Sequence, residues 1–174
     1  MSIFRRIQFY EIQDLSWCPQ VIRDGVTDYL SWVINILGIY NPLSQPINEC
    51  LQQAKSQQIL DMCAGGGGPW KSLLPKLDKD ARILLTDFFP NIKKWNKLAS
   101  QFPSKVSFSE KSVNAIAPDI QLKGLRTFFT SFHHFDDTSA LQILKMKRLG
   151  HKWQESCFSE SDNTHLKNLL RHLK

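Results

Sequence analysis

A chain of 174 residues with 42% hydrophobic content can bury one sizeable core, which makes a single folded unit the expectation. Its formal charge of +6 is uneven: residues 145–174 hold seven Lys/Arg against three Asp/Glu, a net +4, and residues 1–144 carry only +2. A nearly neutral body is not the basic footprint of a nucleic-acid binder, and the cysteines at 18, 50, 63 and 157 lack the spacing of a zinc site or disulfide framework. No metal is therefore expected, and a reducing cytoplasm is the simplest setting.

No cleavable signal sequence is read at the start, because Glu11 and Asp14 break any apolar run after Arg5 and Arg6. Pro19–Tyr40 carries Val21, Ile22, Val26, Tyr29, Leu30, Val33, Ile36 and Leu37 close to helical spacing, with capping-type residues in Asp14 through Ser16 ahead of it. Its most apolar part, 30–40, is interrupted by Ser31 and Asn35 and is shorter than the roughly 17–25 residues that span a bilayer. A helix packed on the core is the expectation. The minority reading is peripheral contact with a membrane surface, through Trp17 and Trp32. Asn41–Pro46 reads as a turn and Ile47–Ser56 as a short helix.

Gln58–Met62 then reads as a buried strand, since Ile59, Leu60 and Met62 are apolar and a glycine break follows. Gly65–Gly68 free the backbone to adopt positive φ and approach a ligand closely. Pro69 suits the first turn of a helix. Strand, glycine turn and helix start together present backbone N–H groups to a nucleotide-like ligand. A Walker loop is disfavoured because Trp70, not glycine, precedes Lys71-Ser72. The dinucleotide fingerprint fits Gly65 and Gly67 but then meets Trp70, and fits Gly66 and Gly68 but then meets Lys71.

What remains is an acid at the strand end, Asp61, with Gly65 and Gly67 four and six positions later. That pattern resembles motif I of the class I S-adenosylmethionine-dependent methyltransferases, with Cys63 standing at the first glycine position and Ala64 beside it. Ala81–Asp87 is a second strand pattern ending in an acid, 22 residues after Gly65. An acid about 20 residues beyond such a loop is placed to accept hydrogen bonds from ribose hydroxyls. The resemblance implies that Asp61, Cys63, Ala64, Gly65 and Gly67 hold the cofactor's amino-acid end, Asp87 its ribose, and Phe88 its adenine face. A plainer role for Asp87 is to cap a helix over Pro90–Gln101. Lys105–Ser109 reads as a third strand. Asn114 after it either accepts from the adenine amino group or stabilises a turn.

Gly124–Thr130 is the fourth strand pattern, and Ser131–Asp136 lies at its carboxyl end, where open α/β sheets bind ligands. His133 or His134 is the candidate base for an oxygen or nitrogen acceptor, with Asp136 as a possible orienting partner; a structural role for either histidine stays open. Phe9, Tyr10, Trp17, Tyr29 and Trp32 suggest an apolar, aromatic acceptor pocket. A helix follows from Thr138, and residues 165–173 recover helical periodicity, but no strand pattern occurs after Thr130.

The resemblance therefore implies a Rossmann-like, doubly wound, mostly parallel α/β sheet, incomplete in its C-terminal half. Residues 1–57 form a helical cap, 58–144 the cofactor-binding core and 145–174 a basic, atypical tail. The strands that normally follow the fourth are missing, through compaction or through truncation or frameshift. The fourth strand's exposed edge is then a route to oligomers. The expected activity is methyl transfer from S-adenosyl-L-methionine to a small organic acceptor. The alternatives are an inactive cofactor-binding or interaction module, and a nucleic-acid adaptor resting on Lys145–Lys152 alone.

Overall fold

The computed structural model describes residues 11–12, 15–119 and 121–145. A four-stranded, all-parallel sheet runs through it in the order β3-β2-β1-β4, with β1 Gln58–Met62, β2 Arg82–Thr86, β3 Val106–Phe108 and β4 Leu125–Thr127. The chain is thus α/β, as its alternation of strand and helix patterns predicts. Strand β1 is central. Ile59 lies opposite Ile83 on one side and Leu125 on the other, and Asp61 opposite Leu85 and Thr127. Ile59, Leu60, Asp61 and Met62 are all buried, because a central parallel strand is covered on both faces.

Among the described residues the α-helices are α1 Gln20–Leu37, α2 Ser44–Gln53, α3 Trp70–Leu73, α4 Ile92–Gln101 and α5 Asp137–Lys145. On one face of the sheet Ile59, Ile83 and Leu85 pack with Trp70, Leu73 and Trp95 of the helices. On the other, Leu60 and Met62 meet Ala115, Leu84, Phe128 and Phe135. Both indoles are fully buried, and burying a large side chain contributes about 1.5–3 kcal/mol each.

Several helix ends differ from expectation. Helix α1 starts after Pro19 without a side-chain cap, and Pro69 precedes α3 rather than opening it. Asn91, not Asp87, caps α4: its side-chain oxygen accepts from the Lys94 N–H at 3.1 Å. Asp136 caps α5 by accepting from the Ser139 N–H at 2.7 Å. Phe9, Tyr10, Asp14 and residues 146–174, with the periodicity expected at 165–173, lie outside the described residues. Among the described residues no helix is long and apolar enough to cross a membrane.

The largest departure is the orientation of α1. Its apolar residues were expected on the core, yet Val21, Ile22, Tyr29, Trp32, Ile36 and Leu37 are exposed. Its buried residues are Arg23, Ser31 and Ile34. Gln20, Arg23, Asp24, Thr27, Asp28, Ser31 and Asn35 recur at three- and four-residue spacing, which makes a polar stripe on one face of the helix. From Arg23 onward that stripe faces inward, because the glycine turn after β1 offers backbone groups that polar side chains can satisfy.

The closeness of this packing is measurable at Gly66. A Cβ there would lie 2.4 Å from the Thr27 carbonyl oxygen, backbone against backbone. Gly66→Ala is expected to lose about 1–3 kcal/mol in denaturant titration, because α1 must lift off the turn. Gly25→Ala, with nothing within 4 Å of the new Cβ, is expected to gain about 0.5–1 kcal/mol on the same helix. Equal effects at the two positions would contradict the packing described.

Candidate functional site

The turn after β1 begins in the left-handed region with Cys63 at φ 61°, the conformation a glycine serves more easily. Gly65, Gly67 and Gly68 also have positive φ. The turn folds back on its own sheet: the Ala64 N–H donates to Thr86 O at 2.9 Å and the Gly67 N–H to Ala64 O at 2.8 Å. The Trp95 indole N–H donates to Gly65 O at 2.9 Å. Helix α1 holds the far end, where Ser31 Oγ and Asn35 Nδ2 both donate to Gly68 O, at 2.9 and 2.8 Å. Asn35 Oδ1 in turn accepts from the Ser72 N–H at 2.8 Å. The turn is therefore clamped from both sides.

Asp61 is buried beneath the turn. It points to the helical face of the sheet, 1% exposed. There its Oδ2 accepts from the Trp70 indole N–H at 2.7 Å and its Oδ1 from the Thr127 hydroxyl at 3.1 Å. Burial pushes its pKa up to about 7, although the two donors pull it down. Expected to hold a cofactor's amino-acid end, Asp61 instead ties β1 to β4 and α3 beneath the turn.

Asp87 does stand at the edge. Its Oδ2 accepts from the Gly65 N–H and its Oδ1 from the Phe89 N–H, each at 2.8 Å. Desolvation raises its pKa, opposed by these N–H donors and by the charge of Arg23. The Phe88 N–H also acts on this carboxylate, which has about four lone-pair sites in all. Phe88 is exposed and meets Phe89 edge-on at 5.0 Å. Arg23 is the residue sequence reasoning missed. Buried beside Asp87, it stacks on the Phe89 ring at 3.6 Å and donates to Leu15 O at 3.0 Å. Its signal was the polar stripe of α1, in which it is the only cation.

The remaining candidates are spread along the same edge. Asn114 makes a turn, its Oδ1 accepting from the Ile116 N–H at 2.9 Å. Its amide N–H groups, rather than its oxygen, are then the natural offer to a ligand. His133 and His134 lie in a 3-10 turn, Phe132–His134, with ring centroids 4.1 Å apart. Glu11 sits at 3.1 Å from His133 Nε2, and Asp136, expected to orient a histidine, also caps α5. Trp17, Tyr29 and Trp32 are all exposed, and of the three Trp32 borders a cavity.

A cavity of about 480 Å³ lies on the outer side of the turn, against Trp32, Gly66, Gly67, Lys71, Lys94 and Lys97. No protein-family profile matches the chain, and neither curated proteins nor solved structures give a significant match.

The raised pKa of Asp61 has a measurable consequence. Between 3.8, its ordinary value, and about 7, the folded chain keeps a proton that the unfolded chain releases. Its contribution to stability is complete below about pH 4 and is lost as pH rises through 7. Asp61→Asn keeps the shape and cannot ionise. Its unfolding free energy is expected to fall less steeply from pH 4 to 7.5 than that of the unsubstituted chain, and identical slopes would overturn this reading.

Proposed function

We propose that the chain binds S-adenosyl-L-methionine at the carboxyl edge of β1 and β2 and transfers its methyl group to a small organic acceptor. The observation that carries this is the hydrogen bond from the Gly65 N–H to Asp87 Oδ2 at 2.8 Å. It joins the glycine turn of one strand to the acid of its parallel neighbour, 22 residues on, at the edge where such sheets bind nucleotides. The strand order β3-β2-β1-β4 adds support, since β1 has neighbours of opposite crossover on its two sides and so makes a switch point beside the turn.

In this reading Asp87 accepts from a ribose hydroxyl, and the exposed Phe88 ring covers the adenine. Asn114 donates to an adenine ring nitrogen. Asp61 is a positioning residue that holds the turn from below. The sulfonium is already activated, so the protein's task is to align the acceptor in line with the methyl group and exclude water. His133 or His134 takes a proton from an oxygen or nitrogen acceptor. A second reading, a cofactor-binding module without turnover, is favoured by one observation: the clamp of Ser31 and Asn35 on Gly68, which ties the turn to α1.

Calorimetric titration of the chain with S-adenosylmethionine and S-adenosylhomocysteine tests the first claim. One-to-one binding is expected, weakened at least tenfold, about 1.4 kcal/mol, by Asp87→Ala. A chain that is folded by circular dichroism yet gives no binding heat rejects it. Transfer of a radiolabelled methyl group to any acceptor would then exclude the silent module.

A further inference from the structure

Beyond β4 the 3-10 turn Phe132–His134 sets two consecutive imidazoles side by side, their rings 4.1 Å apart and inclined by 34°. Glu11 reaches the same point from the segment before α1, 122 positions earlier, with Oε1 3.1 Å from His133 Nε2. One donor atom from each of Glu11, His133 and His134 lies within 4.8 Å of the other two. Two donors on one ion, each bonded at about 2.0–2.2 Å, stand about 3–3.5 Å apart. The Glu11–His133 pair already has that separation. His134 has to approach by no more than about 1–2 Å, a shift within reach of χ rotation in a side chain that is not buried.

We infer that Glu11, His133 and His134 form a binding site for one divalent transition-metal ion, Zn²⁺ foremost. The donor chemistry selects the class. Two imidazole nitrogens and one carboxylate suit Zn²⁺, Co²⁺, Ni²⁺ or Fe²⁺, whereas Ca²⁺ and Mg²⁺ prefer all-oxygen shells and Cu⁺ prefers sulfur. Three protein ligands leave at least one position open, the arrangement of a reactive rather than a closed structural zinc site. His133 is exposed and the other two half-buried, so ions have direct access. The ion would pin the segment before α1 to the carboxyl end of β4, on the edge where parallel sheets take their ligands.

This site stands independently of cofactor binding. It does bear on the histidines, because coordination uses the lone pairs a general base needs, so metal occupancy decides between the two roles. Sequence spacing gave no hint of it. The adjacent histidines are one half of a ligand set whose other member is remote in the chain.

Equilibrium titration of the whole chain with ZnCl2, paired with Co²⁺ absorption spectra, tests the site. One equivalent is expected to bind with micromolar or tighter Kd, with Co²⁺ d–d bands of four- or five-coordinate N/O ligation. Glu11→Gln and His133→Ala are each expected to weaken Zn²⁺ at least tenfold, and Glu49→Gln on α2 to leave it unchanged. Glu11→Gln alters only a partly exposed side chain, so it decides the matter if the histidine variant does not fold. Affinity weaker than millimolar, or micromolar affinity indifferent to Glu11→Gln, would overturn the assignment.

Discussion

A carboxyl group buried beneath the glycine turn organises this molecule. Asp61 accepts from Trp70 at the start of α3 and from Thr127 on β4, while its backbone oxygen accepts from Thr86 on β2 at 2.9 Å. One residue thus connects three strands and the helix that follows the turn. A charge in such a place would be costly, and the raised pKa is the protein's response: the carboxyl holds its proton until near neutrality. The geometry also constrains the turn. A Cβ at Gly68, which has φ 55°, would lie 3.1 Å from Asp61 Oδ2, so the chain above this carboxyl needs a glycine.

The clamp by α1 follows from the same turn. Four consecutive glycines offer peptide groups and no side chains, so a partner must bring polar atoms to them. Helix α1 does so with Ser31 and Asn35, and with Arg23 near the turn's acid, Asp87. Its apolar residues then face outward by geometry, since a helix that turns its polar stripe inward cannot also bury the opposite face on the same surface. Electrostatics complete the edge. Arg23 offsets part of the desolvation that raises the Asp87 pKa, and Asp28 pairs with Lys94 of α4 at 3.3 Å.

Much of the core was legible from residues alone. The runs ending at Met62 and Asp87 are apolar enough to read as covered parallel strands, Lys105–Ser109 reads as a short alternating one, and the glycines mark the turn without ambiguity. Asp87 was legible from its spacing, and its bond to Gly65 gives that spacing a geometric meaning. Periodicity placed α1 but not its orientation, because a hydrophobic stripe tells which face is apolar and not what the polar face touches. The fate of Asp61 was hidden for a related reason. A strand-end acid looks the same whether it faces ligand or helix, and the indole nine residues on decides. Strand β4 is only Leu125–Thr127, shorter than its apolar pattern, and Thr130 beyond it takes φ 54°. The pairing of Glu11 with His133 is a long-range contact that no local pattern encodes.

Ligand binding at the carboxyl edge is most directly tested by hydrogen exchange of the intact chain with and without saturating S-adenosylhomocysteine. A site built on the glycine turn and Asp87 predicts slowed exchange at the amides of Gly65–Gly68 and Asp87–Phe89, with little change in α2 on the far side of the fold. Unchanged exchange at both segments, in a chain folded throughout, would contradict it.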